Sequence, residues 1–278
     1  MRFRAPHPIF ALAALAGALA FAALGSQAQA EETNPCFTGA GTVKEVLDGC
    51  AAFIASGSTD TDQLVRAHSV SAMAYSAIGN LDAAIADLDA AVKIDANKPH
   101  TYFMRAAAYE ARQEYDKAIA DLNQAIRIDA TFGDYFLLRG MVYQHKGDLD
   151  QALVELNEKI KLDPDATSGY SKRADLYRQR KEYDLSVADY DQVTKREPDG
   201  AKGYADRGWI FVLKNDLDKA GVDFDKALEL HQNDPSALVG RGVVKSRKGK
   251  PTDGSGDLAL AKRLEPGIFD EIKKLGVK

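Results

Sequence analysis

The sequence predicts an all-α protein built from about six stacked helix-turn-helix repeats, and three observations carry that expectation. The first is a line of sequence that returns every 34 residues: NLDAAIADLDAAVKIDA at 80–96, EYDKAIADLNQAIRIDA at 114–130, DLDQALVELNEKIKLDP at 148–164, EYDLSVADYDQVTKREP at 182–198 and DLDKAGVDFDKALELHQ at 216–232. A fixed period of this size marks an array in which each unit packs on its neighbours. The second is amphipathicity at helical spacing. In 114–130, Tyr115, Ala118, Ile119, Leu122, Ala125, Ile126 and Ile128 share one face, and Lys117, Asp121, Asn123, Gln124 and Arg127 fall largely on the other. The third is punctuation. Gly79-Asn80 and Gly147-Asp148 mark turns within pairs, and Pro99, Pro164, Pro198 and Pro235 stop helices between pairs.

Along the chain, 1–30 stand apart from the fold. Arg2 and Arg4 precede the uncharged apolar run 9–24, and Ala28-Gln29-Ala30 forms a small-residue cleavage site, so 1–30 reads as a secretory signal peptide cut after Ala30. The run is short for a membrane anchor, and no later segment approaches the ~18 apolar residues of a spanning helix, so no stable membrane insertion is expected after cleavage. Export places Cys36 and Cys50 in an oxidising compartment, where the two are expected to pair. A metal or redox site is disfavoured, because the spacing is not CxxC and no histidine lies near. The segment 31–64 is then an N-terminal cap, with a helix over 42–55 pinned by the bond to an entry strand. A leader with a disulfide-permissive destination points to the periplasm of a Gram-negative bacterium.

Six units follow, at 65–98, 99–132, 133–166, 167–200, 201–234 and 235–268. In each, a first helix such as PHTYFMRAAAYEAR (99–112) precedes the quoted stretch. The sixth keeps Arg241-Gly242 and LALAKRLEP at 258–266. KGKPTDGSG at 248–256 interrupts its middle, which predicts a short second helix. GIFDEIKKLG at 267–276 reads as a capping helix, with 269–278 as the C-terminal cap.

The columns hold register. Tyr75, Tyr109, Tyr143, Tyr177 and Phe211 recur at 34 residues, as do Tyr102, Phe136, Tyr170 and Tyr204. Small residues recur at Ala72, Ala106, Gly140, Ala174 and Gly208 on the first helix, and at Ala84, Ala118, Ala152, Ser186 and Ala220 on the second. They let two backbones approach while bulky columns fill the space beside them. The order Tyr170, Ala174, Tyr177, Ser186, Tyr190, Val193, Pro198, and likewise Phe136, Gly140, Tyr143, Ala152, Leu156, Lys159, Pro164, resembles the tetratricopeptide repeat of exported bacterial proteins. The resemblance covers 65–268 and implies a right-handed α-solenoid with caps at both ends. One departure is systematic: Arg105, Arg139, Arg173, Arg207 and Arg241 stand where the family usually has leucine.

These arginines have a partner column in Asp87, Asp121, Glu155, Asp189, Asp223 and Asp257. Two readings exist, an anion-binding surface and an internal ladder that fixes register. The ladder is favoured because acids and arginines recur in step and the guanidinium fork suits carboxylates.

Function classes narrow by charge and motif. The chain has 36 Lys and Arg against 41 Asp and Glu, and loss of 1–30 removes Arg2 and Arg4 but no acid, so nucleic acid is disfavoured. The five histidines, His7, His68, His100, His145 and His231, form no HExxH or His–Cys arrangement, and no metal or cofactor is expected. There is no GxSxG elbow, and Gly254-Ser255-Gly256 reads as a lone glycine turn. The resemblance implies that first helices line a groove that receives protein or peptide. Its candidate positions are Met73, Phe103, Leu137, Met141, Asp175, Arg178, Trp209 and Val243. The Lys/Asn set by which some members hold a C-terminal carboxylate is absent. Phe103, Met141 and Trp209 read either as an apolar binding platform or as core between repeats. The expected function is a non-enzymatic scaffold or adaptor in the bacterial envelope. A periplasmic chaperone, a self-associating structural protein and a regulator of cell-wall enzymes are the alternatives.

Overall fold

A computed structural model describes residues 33–276, in which fifteen helices and no strand occur. The expected signal peptide and its cleavage point after Ala30 lie outside the described residues. The helices fall into two units, 33–146 and 147–276. The first holds α1 (Pro35–Thr38), α2 (Val43–Ala55), α3 (Thr61–Ala77), α4 (Leu81–Ile94), α5 (Pro99–Ala111), α6 (Tyr115–Ile128) and α7 (Gly133–Lys146). The second holds α8 (Leu149–Leu162), α9 (Thr167–Gln179), α10 (Tyr183–Arg196), α11 (Ala201–Leu213), α12 (Leu217–Leu230), α13 (Pro235–Arg247), α14 (Pro251–Leu264) and α15 (Ile268–Lys274).

The 34-residue register reappears in helix starts, at 99, 133, 167, 201 and 235 for first helices and at 81, 115, 149, 183, 217 and 251 for second helices. Neighbouring helices of a unit bury a series of apolar clusters. In the first unit one runs through Ala106, Ala118, Leu122 and Leu138, and in the second one runs through Ala174 and Tyr190 and another through Trp209, Phe224 and Leu238.

One turn geometry joins the helices of a pair. Within the units, Gly79, Gln113, Lys181, Asn215 and Gly249 have φ of 77, 63, 62, 61 and 79°. The next residue's N–H reaches back to the aromatic column: Glu114 to the Tyr109 carbonyl at 2.8 Å, Glu182 to Tyr177 at 2.8 Å and Asp216 to Phe211 at 2.9 Å. This satisfies carbonyls that a helix end would otherwise leave open. A left-handed conformation costs an L side chain about 1–2 kcal/mol. Lys181→Gly removes that cost while adding freedom to the unfolded chain. We expect a net gain of roughly 0.5 kcal/mol, read as a higher urea midpoint at constant m-value.

The N-terminal cap is a folded miniature. Thr42 and Glu45 form a reciprocal capping box that starts α2. Cys36 and Cys50 are bonded and buried, in a cluster with Ala67, Phe37, Val46 and Phe53. The entry segment is a helical turn, α1, rather than the expected strand, because Asn34 caps it and Pro35 occupies its first position. The first repeat helix also begins earlier than 65: Asp60 caps α3 at Thr61. Arg66 ties α3 to the cap, donating to the Phe37 carbonyl at 3.0 Å. Cys36→Ser/Cys50→Ser should cost this cap about 2–4 kcal/mol. Limited proteolysis should then cut within 36–60, while hydrogen exchange in α9–α14 stays unchanged.

The sixth repeat corrects the sequence reading. Its second helix is not short: α14 runs fourteen residues, as long as its counterparts. Pro251 sits in the first turn, where its missing N–H has no partner to lose. Gly254 and Gly256 lie inside the helix instead of forming a turn. Gly254 extends the small-residue column, and a Cβ there would lie 2.7 Å from the Gly242 carbonyl oxygen of α13.

Candidate functional site

The arginine column is the most ordered polar feature. Arg105 donates from Nε and Nη2 to the two Asp121 carboxylate oxygens at 2.8 and 2.7 Å, and from Nη1 to Asp89 at 2.7 Å. Arg173 repeats this with Asp189 at 2.8 and 2.7 Å and with Asn157 at 2.6 Å. Arg207 does so with Asp223 at 2.8 and 2.7 Å and with Asp191 at 2.7 Å. Arg241 holds Asp257 at 2.8 and 2.7 Å and Asp225 at 3.3 Å. Arg139 reaches Asn123 at 2.6 Å, and Glu155 lies buried on α8. The forks of Arg105, Arg173, Arg207 and Arg241 thus each clamp an acid of their own repeat and an acceptor of the preceding one, which leaves these four guanidinium groups little capacity for an outside anion.

Two parts of this pattern escaped sequence reasoning. The second acceptors, Asp89, Asn123, Asn157, Asp191 and Asp225, form their own 34-residue column two positions after the first acids. Basic residues ending first helices also pair backward across 30 residues: Arg112 with Asp82, Lys146 with Asp116, Arg180 with Asp150, Lys214 with Asp184, and Lys248 with Asp218. Both columns were readable from spacing alone. The first repeat differs. Ser71 stands at its arginine position, and Asp87 instead meets His68 Nδ1 at 2.9 Å.

At Asp257, burial pushes the carboxyl up, but hydrogen bonds from Arg241 and Lys245 outweigh it and hold the group below its ordinary value. At Asp206, burial wins and the carboxyl is raised, although Lys202 Nζ lies 2.6 Å away.

The groove candidates separate by burial. In the first unit Met73 on α3 and Leu137 on α7 are half-buried, whereas Phe103 and Met141 are each 8% exposed. Phe103 packs on Tyr135 with ring centroids 5.4 Å apart, and on Phe132 at 6.3 Å. In the second unit Asp175 and Arg178 on α9 are half-buried, with Asp175 accepting from the Tyr190 hydroxyl at 2.9 Å. Trp209 on α11 is 1% exposed; it donates from Nε1 to the Ser236 hydroxyl at 2.8 Å and packs edge-on to Phe224 at 5.1 Å. Val243 packs at the edge of the same cluster. Phe103, Met141 and Trp209 therefore do not form an exposed platform. Large apolar side chains stabilise by leaving water, and the burial of all three fits the core reading.

With the geometry in place, comparison with known proteins is direct. Tetratricopeptide repeat families match 65–98 and 133–166, 99–132, and 171–237, more than half of the chain. The chain belongs to the tetratricopeptide repeat family. Comparison with curated proteins finds no significant match. A tetratricopeptide repeat protein from Parabacteroides merdae ATCC 43184 superposes with a TM-score of 0.69 at 16% identity, covering 90% of this chain and 98% of that one. The chain of the APC/C hetero-tetramer Cut9–Hcn1 gives 0.60 at 14% identity, over 84% of this chain and 51% of that one. YrrB, described as a tetratricopeptide repeat protein with an unusual peptide-binding site, gives 0.51 at 21% identity, over 69% of this chain and 97% of that one. At these identities the likeness is one of fold. Among the described residues of this tetratricopeptide repeat protein, no group of His, Cys, Asp and Glu is placed to hold a metal ion, and no helix is long and apolar enough to cross a membrane.

Proposed function

We propose that the protein is an exported, non-enzymatic scaffold of the bacterial envelope that holds a segment of a partner protein on the first helices of its repeats. The carrying observation is one column that keeps its register but not its chemistry. In the column that recurs every 34 residues at Met73, Ala107, Met141, Asp175, Trp209 and Val243, the half-buried positions are apolar at Met73 and Val243 and charged at Asp175, while Ala107, Met141 and Trp209 are core. The arginine, acid and small-residue columns beside them barely change. A scaffold that holds its structural columns constant and varies one position per repeat has the form of a recognition surface. The peptide-binding site described for YrrB, a protein of the same fold, supports this reading. The buried Cys36–Cys50 bond supports an oxidising destination, as the sequence of 1–30 does.

The test begins with the protein purified from the envelope, whose intact mass should start at Glu31. It would then be crosslinked in envelope extract beside a Met73→Ser/Leu137→Ser variant of equal helicity. A discrete partner lost with the variant supports the scaffold. Equal capture by both chains, or a chain that retains 1–30 and stays inside the cell, overturns the corresponding half of the reading.

A further inference from the structure

The C-terminal helix does more than cover the last repeat. Arg178, on the first helix of the fourth unit, donates from Nη1 to the Leu275 carbonyl at 3.3 Å, across 97 residues. The ladder bonds join residues only 16 or 30 apart. Helix α15 therefore reaches back over two repeats. Ile268 and Ile272 are 3% and 7% exposed in the cluster that holds Trp209, and Phe269, Leu275 and Val243 pack against it. Asp270, Glu271, Lys273 and Lys274 face water. The apolar residues fall at i, i+1, i+4 and i+7, one stripe of a helix. Of the groove candidates, Arg178 thus touches α15 directly, Trp209 shares a buried cluster with Ile268 and Ile272, and Val243 packs against that cluster.

The chemistry of the contact is that of a helix receptor. The last carbonyls of any helix lack intrahelical partners, and cations are favoured there. Arg178 supplies both a donor and a charge at the end of α15. Asp175 lies 3.9 Å from its Nε. The occupant itself is weakly built. It has seven residues and no side-chain N-cap, and a helix so short has no stability apart from its packing.

We propose that the face of the second unit carrying Arg178, Trp209 and Val243 is a receptor for one short amphipathic helix. The chain's own α15 holds it until a partner helix with the same apolar stripe displaces it. This rests on the protein-binding reading above and gives it a ligand class for the second unit. Tethering keeps α15 at high effective concentration, so a partner must bind more tightly than α15 alone or engage a second surface as well.

The only tryptophan of the chain is the reporter. In the full-length chain, Ile268→Ser/Ile272→Ser should red-shift Trp209 emission and raise acrylamide quenching severalfold at unchanged helicity. A synthetic peptide of residues 265–276 should bind this variant and restore the blue-shifted emission. It should bind the unaltered chain at least tenfold more weakly, and Arg178→Ala in the variant should weaken it severalfold. A peptide carrying the two serines should not bind. Absence of peptide binding by the loosened variant, or equal binding by both chains, overturns the proposal. Should the variant lose helicity, hydrogen exchange on the unaltered chain decides. Amides of α15 are expected to open at least tenfold faster than those of α11 and α13, and equal protection means that α15 is a fixed cap. The peptide needs no natural partner, so failure here is distinct from failure of the crosslinking experiment.

Discussion

Replacing Arg207 with alanine is expected to lower stability by about 3–5 kcal/mol. The size follows from what is left behind. Asp223 is 3% exposed, and both its oxygens accept from this guanidinium. Removing the arginine strands a buried carboxylate, whereas removing both partners strands nothing. Arg207→Ala/Asp223→Ala should therefore recover most of the loss. Arg207→Lys should recover only part, because an ammonium cannot serve Asp223 bidentately while also reaching Asp191. The readout is hydrogen exchange in α11 and α12 together with the urea midpoint, since a repeat array need not unfold as one unit. Equal stability of the single and double variants would show that a stranded carboxylate is not the source of the loss.

The second large effect is steric. The Phe224 ring lies between two glycines. A Cβ on Gly240 would fall 2.2 Å from its Cζ, and one on Gly208 would fall 2.9 Å from its Cε1. The ring is fully buried and packs on Trp209, so it has nowhere to retreat. Gly240→Ala should cost about 1–3 kcal/mol by overpacking. In a Phe224→Leu background the same substitution should cost markedly less, and this coupling is the diagnostic. Gly256 is the control, since nothing lies within 4 Å of its Cβ position and it sits inside α14. Gly256→Ala should gain about 0.5–1 kcal/mol. Thermal melts of the four chains separate packing from backbone effects.

Most of the fold was legible because the array repeats its physics. A core column must recur wherever one helix pair covers the next, so Tyr109, Tyr143 and Tyr177 announce their equivalence by spacing alone. What was misread lies where the period lapses. Pro251 and Gly254 look like helix breakers, yet one occupies a first turn and the other a helix crossing too tight for a side chain. The candidate site was legible in part. Periodicity reports which residues share a face but not what covers that face. Arg178, Trp209 and Val243 were placed on first helices, but α15 belongs to no repeat, and its bond to Arg178 is not written in any column. The second acceptor of each arginine was legible and went unread, because the nearer acid already satisfied the pairing rule.

The 16- and 30-residue reach of the ladders has a consequence for how the chain is made. Synthesis delivers residues in order, and a bond to a neighbouring repeat needs only that much more chain to emerge. Arg207 can find Asp191 at once and Asp223 sixteen residues later. Assembly can thus keep pace with emergence, one repeat behind the newest residue. The contact between Arg178 and Leu275 is the exception, and it must form last. For the interval in which α9 to α13 have formed and α15 has not arrived, Arg178 lacks the Leu275 carbonyl and the cluster around Trp209 lacks Ile268 and Ile272. Whatever binds there meets its easiest competition during birth.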